Sequence, residues 1–387
     1  MDSPRIIRRH SRAGRLLRAA ALLSAGLAPA LLGSCAALTT MFPASGLAAA
    51  PRPVPGTDLL DFKGVIHCHS HLSHDSDGRI EDIAAACEAA RIDFLVMTDH
   101  QTERSVLDGV RGMRGRTLFV VGAEQRTPQG TIEAFPLVRP LKQWRHAGLL
   151  AREAAEQGGV ALLCHAENTK AWGVPGMAGV EIVNLHAGAV QRPKGLTLLK
   201  GLFFPVRVLL EHICHRDEDL FRHWDVELAA RHPFTPVGGN DAHANVRLFG
   251  PLGGTIGTYR EIFLTLSTHV LAPRLDERSL VEAISQGRTY VSFDIFGEGT
   301  GFDFRAEDEN GLHVVGSTVR RSSALDLRVR LPGRGVIRLL RDGKAVAERE
   351  GEGLRWANPE PGVYRVEVRT VYGSPWLFSS SIRIAKD

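Results

Sequence analysis

The stretch "VIHCHSHLSHDSDG", residues 65 to 78, sets four histidines and two aspartates within fourteen positions, directly after an apolar run. Imidazole nitrogens and carboxylate oxygens are the donors that zinc, manganese and iron accept together. In "HCH" at a strand end, His67 and His69 stand two apart. Side chains alternate along a strand, so both rings are expected on one face, where they can share one divalent ion. Cys68 between them, and Cys164 beside His165, are expected to point the other way as small buried groups. Ligand-type residues recur at the ends of other apolar runs: Asp99 and His100 after "VMT", Glu124 in "VVGAE", His165 in "LLCH", and Asp241 with His243 in "GGNDAH". A lone histidine on an apolar strand is usually a satisfied core residue. This set, with Asp75 close by, reads instead as a metal centre of mixed imidazole and carboxylate donors, and bridging carboxylates suit more than one ion.

Elements of regular spacing must bring these groups together. The strand candidates are "GVIHCH", "FLVMT", "TLFVVGAE", "GVALLCH", "GVEIVNL" and "FTPVGGND"; helices between them include "RIEDIAAACEAARI" and "LLAREAAEQG", the second ending at a glycine. Apolar strands alternating with helices predict an α/β fold with buried parallel strands. In a barrel of parallel strands the polar residues at the strand ends meet at a single mouth. The apolar segment 195–213 is interrupted by Lys200, Pro205 and Arg207 and reads as a helical insertion over the barrel rather than a membrane span. From about residue 298 short alternating runs such as "ALDLRVRL", "GVIRLLRDGK", "GVYRVEVRT" and "LFSSSIRI" predict an all-β, sandwich-like C-terminal domain.

The amino-terminal segment stands apart. A basic head, an apolar run and "LGSC" read as a lipoprotein-type signal over residues 1–34, with lipidation at Cys35. An ordinary signal cut after "GLAAA" is the alternative, and "RRHSRAG" leaves open Sec or twin-arginine export. The expected organisation is signal 1–34, tether 35–58, barrel 59–297 and β domain 298–387. The expected location is exported, periplasmic or at the cell surface, held to a membrane surface through Cys35. Six arginines and one aspartate of the chain's 47 basic and 43 acidic residues fall in the signal, so the remainder is close to neutral. With aromatic residues at 6% and no basic run interleaved with them, strong duplex nucleic-acid binding is not expected. The cysteines show no CxxC spacing, so neither a zinc ribbon nor a disulfide framework is inferred.

In order along the chain, "HCHSHLSHDS", "MTDH", "GAE", "LLCHAEN" and "GGNDAH" resemble the successive motifs of the PHP (polymerase and histidinol phosphatase) family, over roughly residues 62 to 245. The segments "GRTYVSFD", "PGVYRVEV" and "PWLFSSSI" resemble the tail of its secreted bacterial members. The resemblance implies a distorted seven-stranded β/α barrel carrying two or three divalent ions (Zn, Mn or Fe). It implies that His67 and His69 hold a first ion with Glu124 bridging and Asp241 completing it. Glu124 and His165 would hold a second, and Asp75, His100 and His243 a third. One position departs from the family, which has a histidine after the bridging glutamate where "GAEQRTPQGTIEAF" offers Thr131. Glu133 and His186 are the candidate substitutes, each expected more as a supporting or surface group than as a ligand, and His71 and His74 are expected to be solvated loop residues.

Adjacent cations ionise water near neutral pH and neutralise charge on phosphoryl oxygens, so phosphoester hydrolysis is the expected chemistry. Asp99 and His100 are candidates for moving protons and Arg126 for clamping a phosphate oxygen. The expected substrate is a small phosphoester or a short oligonucleotide. Three other readings stay open: hydrolysis of a carbamate, amide or carboxyl ester, 5'-3' exonuclease-like activity on short nucleic acid, and a non-catalytic glycan-binding lipoprotein.

Overall fold

The structure is a computed structural model that describes residues 51–243 and 257–386. The signal, Cys35 and the start of the tether lie outside the described residues. The end of the tether is pinned rather than loose. β1 (Arg52–Pro53) pairs antiparallel with β2 (Leu60–Cys68), and Val54 is buried.

β3 (Phe94–Met97) pairs parallel with β2, and β5 (Thr117–Val121) parallel with β3. The short β4 (Gly112–Arg114) flanks β5. The expected single strand "TLFVVGAE" is broken at Gly122, where a Cβ would lie 2.7 Å from the Ala134 carbonyl oxygen. β6 (Ala123–Thr127) turns there into a hairpin with β7 (Gly130–Phe135), a strand that the periodicity did not single out. β7 pairs antiparallel with β8 (Val160–Cys164), which runs parallel to β9 (Met177–Asn184). β10 (Thr235–Ala242) is parallel to β9 and, on its other edge, to β2, so the succession of pairings returns to its start.

One face of these strands fills a core. Phe62 and Ile66, Phe94 and Val96, Leu118 and Val120, Val160 and Leu162, and Val237 pack together with Leu280, Ala283 and Ile284 of the helix Glu277–Ser285. The spacing is two, or four across Gly64, as a common inward face requires. Gly64 shares that face because the Phe94 ring occupies the space of a side chain; a Cβ would lie 2.1 Å from its Cζ.

β11 (Ser267–Ala272) lies antiparallel to the first half of β2, and β12 (Thr289–Ser292) to β11. The remaining strands are β13 (Asp303–Asp308), β14 (Gly311–Val314), β15 (Thr318–Arg320), β16 (Asp326–Arg341), β17 (Lys344–Ala357), β18 (Gly362–Arg369), β19 (Pro375–Ser379) and β20 (Ile382–Ala385). They pair antiparallel apart from β15 with β20. The runs "ALDLRVRL" and "GVIRLLRDGK" fuse into the long β16, and "LFSSSIRI" divides at Ser380 and Ser381. At the β16–β17 turn Asp342 and Gly343 both take positive φ, 50° and 76°, as a tight two-residue hairpin turn demands. β19 pairs with β12, so the α/β and all-β parts share one sheet.

The segment 195–213 is helical as expected. It forms Lys194–Phe203 and Val206–Ile213, divided at Pro205, with Leu209, Leu210 and Ile213 buried. No helix among the described residues is long and apolar enough to cross a membrane.

Candidate metal centre

His67 faces inward for a reason that alternation does not supply. Phe62 and Ile66 set the inward parity of β2, which His67 violates. The register against β3 shifts between Ile66 and Cys68, so two residues of β2 span one step of its partner. His67 is the extra residue of that bulge and is left-handed, with φ 69°. Past the bulge Cys68 faces away and His69 faces in again; both are buried. Cys164 is buried too, and desolvation pushes both thiols well above their ordinary pKa.

His165 repeats the device. Val160 and Leu162 set the inward parity of β8, and His165 follows the strand with φ 46°. Glu124 and His100 keep the parity of Leu118 and Phe94, and a parallel bridge joins the two. Asp241 keeps the parity of Val237 but is also left-handed, at φ 47°, beside a register shift between Gly239 and Ala242. Six non-glycine residues among those described have positive φ, and three of them carry donors here.

The donor atoms converge. His67 Nε2 lies 3.3 Å from Glu124 Oε2 and 3.4 Å from Asp241 Oδ1; His69 Nε2 lies 3.4 and 3.5 Å from the same two oxygens. Two donors each about 2.1 Å from one ion at the tetrahedral angle stand about 3.4 Å apart, so these four contacts have the length of coordination edges. The remaining oxygens of both carboxylates face a second group. His165 Nε2 lies 3.4 Å from Glu124 Oε1 and 3.4 Å from Asp241 Oδ2. Glu124 and Asp241 therefore each present one oxygen to each set. His69 Nε2 and Asp241 Oδ2 are buried with no hydrogen-bond partner among the described residues. Leaving such atoms unsatisfied costs about 1–3 kcal/mol each, and a cation is the partner that a lone-pair nitrogen and a carboxylate oxygen both accept.

A third set lies nearer the opening. Asp75 Oδ2 is 3.0 Å from His100 Nε2 and 3.2 Å from His243 Nε2, while Ser73 Oγ donates to Asp75 Oδ1 at 2.6 Å. The His243 ring stacks on His69 at 4.2 Å between centroids. All three sets open on a cavity of about 640 Å³. His186, 56% exposed, reaches to 3.6 Å from Asp241 Oδ2 at the rim. His74 is exposed, sits on the cavity wall and packs its ring 4.7 Å from that of His100; His71 is exposed and approaches the Gly78 carbonyl.

Asp99 is placed elsewhere. Its carboxylate accepts the Ser70 backbone N–H at 2.5 Å and the Ser70 hydroxyl at 2.9 Å, which fastens the loop that follows His69. Arg126 is exposed and lines the cavity without an ion pair among the described residues. Lys170, which sequence reasoning did not single out, lines the same wall. It is brought there because its backbone N–H donates to Gln129, at the tip of the β6–β7 hairpin, at 2.6 Å. Thr131 also lines the cavity.

Two further carboxylates lie behind His67. Glu181 Oε1 accepts its Nδ1 at 2.7 Å, and Glu133 Oε1 stands 3.0 Å from the same nitrogen. Glu133 thus faces the ring from the side opposite the donor sets. Burial and the neighbouring Glu181 push its carboxyl up to about 7. Glu181 was legible only as a charge inside the apolar run "GVEIVNL".

Without a cation the charges resolve among themselves. Burial disfavours a charged His165, yet hydrogen bonds to Glu124 and Glu167 raise its pKa to about 11. His67 likewise rises well above its ordinary value, against its burial, through Asp241, Glu181 and Glu133. Burial and the adjacent His67 and His243 hold His69 down to about 3, which keeps its ring neutral as a ligand must be. Glu124, despite burial, is held far below the carboxylate range by hydrogen bonds from His165 and His67.

No family model and no curated protein matches the chain. Among solved structures it is similar to a two-domain protein containing a predicted PHP-like metal-dependent phosphoesterase from Bacteroides vulgatus ATCC 8482. That likeness has 16% identity over 86% of this chain and 98% of that one, with a TM-score of 0.38. It is also similar to PsfC from Pseudomonas syringae PB-5123, at 13% identity over 60% of this chain and 92% of that one, with a TM-score of 0.35.

Proposed function

We propose that this chain is a metal-dependent hydrolase of the PHP type, and that it cleaves a small phosphoester or a short oligonucleotide. The observation that carries the reading is the pair of carboxylates shared between donor sets, with separations of 3.3–3.5 Å to His67, His69 and His165. Bound divalent ions supply ionised water near neutral pH and screen charge on phosphoryl oxygens. His67, His69, Glu124 and Asp241 would hold one ion; His165 with the other oxygens of Glu124 and Asp241 a second; Asp75, His100 and His243 a third.

The circuit of pairings from β2 through β10 and back supports reading the first part as the distorted seven-stranded barrel, with β13–β20 as its sandwich-like companion. Where the third ion is not bound, His100, at the opening and within reach of Asp75 and Glu124, is the group best placed to pass a proton to a leaving oxygen. Asp99 acts through Ser70 and the loop rather than on substrate. Arg126 and Lys170 give the cavity wall two cations for an anionic substrate.

The purified chain, supplied with Mn or Zn, is to be offered bis-p-nitrophenyl phosphate, p-nitrophenyl phosphate and p-nitrophenyl acetate. Phosphoester turnover abolished by chelator and restored by metal is expected. Turnover of the carboxyl ester alone would move the reaction to carbonyl carbon, and metal-loaded protein inert on all three would sink the hydrolase reading. Export and lipid attachment through Cys35 belong to the same proposal, supported by "LGSC" after the apolar run. Cys35→Ser is expected to shift the protein of producing cells from the membrane to the soluble fraction.

A further inference from the structure

Two candidate ligands, His67 and His165, sit off the inward parity of their strands and reach Glu124 and Asp241 only through left-handed backbone. Something must hold both against relaxation to ordinary extended geometry. Glu181, on β9, touches both. Its Oε1 accepts His67 Nδ1 at 2.7 Å, and its Oε2 accepts the His165 backbone N–H at 3.1 Å. Asn184 Nδ2 donates to the same Oε2 at 3.1 Å, which braces the carboxylate itself.

Glu133 is a second acceptor at the same His67 nitrogen, while the three hydrogen-bond partners of Glu181, His67 Nδ1, the His165 N–H and Asn184 Nδ2, can all donate, which suits an ionised carboxylate. Space for it is reserved on the adjacent strand. A Cβ on Gly239 would stand 1.9 Å from Glu181 Oε1, so any side chain there would evict the carboxylate. Glu181 is fully buried and does not line the cavity, which rules out contact with substrate.

We infer that Glu181, in the space left by Gly239, is the positioning residue that aims His67 and His165 together at the shared carboxylates. It holds His67 in one tautomer by accepting the Nδ1–H at 2.7 Å, with Glu133 as a second acceptor 3.0 Å away, which leaves Nε2 as the lone-pair donor facing Glu124 and Asp241. It also pins the turn that carries His165. Since Glu181 bridges the two donor sets, its loss weakens both at once. The inference rests on the metal-site reading above and adds to it a residue outside the three donor sets.

The test compares the full-length wild type with Glu181→Gln and Glu181→Asp. Zinc affinity is read by competition with a chromophoric chelator, and ligand geometry from the visible spectrum of the cobalt-loaded protein. Glutamine accepts on one side only, so either His67 or His165 then faces an amide N–H. Affinity is expected to fall about 10–100-fold with an altered cobalt spectrum. Aspartate keeps the charge and the acceptor character but is one methylene shorter; an intermediate loss is expected, and it decides the matter if the glutamine variant does not fold. Gly239→Ala, which keeps the Glu181 side chain but pushes its carboxylate out of position, is expected to copy the glutamine phenotype. Wild-type affinity and spectrum in a folded Glu181→Gln or Glu181→Asp protein would overturn the inference and leave the metal site standing. A wild type that binds no zinc and no cobalt would remove the underlying reading instead.

Discussion

Asp241→Asn is the substitution that separates a shared metal centre from a buried polar cluster. Asn keeps the shape of Asp but offers one neutral acceptor oxygen where Asp241 gives one anionic oxygen to each of two donor sets. An ion that binds only the folded state at 100 times its Kd adds about 2.7 kcal/mol, so two ions add about 5 kcal/mol. Unfolding entropy of about 2.1 cal/mol/K per residue, over the roughly 340 residues of the compact unit, comes to about 0.7 kcal/mol/K. The two ions that use Asp241 should therefore contribute about 7 °C to the Tm rise that saturating zinc gives chelator-stripped wild type. In Asp241→Asn both sets lose an anionic donor, and that contribution should shrink to about 2 °C or less, leaving only the share of an ion held by Asp75, His100 and His243. Calorimetric scans with and without zinc, beside elemental analysis of the dialysed proteins, measure both quantities. A variant that keeps the full rise and the wild-type metal content would show that Asp241 is not a ligand, and the shared-carboxylate argument would go with it.

Metal uptake should also release protons. His165, raised to about 11 in the metal-free chain, is charged at pH 7, whereas a ligand ring must be neutral. At least about one proton should leave per chain on binding, and affinity should rise with pH through the neutral range; equal titration heats at pH 7 in two buffers of different ionisation enthalpy would contradict this. Arg126→Ala and Lys170→Ala should each raise KM for a phosphoester on the order of tenfold with little change in kcat, the effect of one charge-assisted contact at an exposed wall. Unchanged KM in both would take them out of the substrate site. Arg365→Ala should destabilise the fold by about 3–5 kcal/mol in urea, because the fully buried guanidinium pairs with Asp225 at 2.7 and 2.9 Å and also with Glu367. A loss below about 1 kcal/mol would mean that solvent reaches those carboxylates.

Much of the site was legible because a buried parallel strand is written as an apolar run, and a donor at its end stands out against that run. Glu124 and His100 follow this rule, and alternation from Leu118 and Phe94 leads directly to them. The β6–β7 hairpin was not legible. Its strands are short and polar, and only the Gly122 backbone contact and the pairing of Glu124 with Glu133 define it. Glu133 was weighed as a replacement ligand at the Thr131 position, but the hairpin turns it behind the His67 ring, toward Nδ1. For Asp99, proximity in sequence suggested proton transfer, whereas the structure places its carboxylate on the backbone N–H and hydroxyl of Ser70.

His67 and His165 expose the limit of pattern reading most clearly. Alternation from Ile66 and Leu162 would send both rings away from Glu124 and Asp241. They face those carboxylates only because the backbone turns left-handed at each, a conformation that costs an L-residue about 1–2 kcal/mol. With Asp241 included, about 3–6 kcal/mol is committed against a total stability that for proteins in general is about 5–15 kcal/mol. Glycine would relieve that strain at each position but has no donor atom, so donor chemistry has overridden backbone preference three times within one cavity. A purely structural cluster has no reason to keep all three in that conformation. A site that must place several lone pairs about 3.4 Å apart does, and that spacing is what the His67, His69 and His165 nitrogens show toward Glu124 and Asp241.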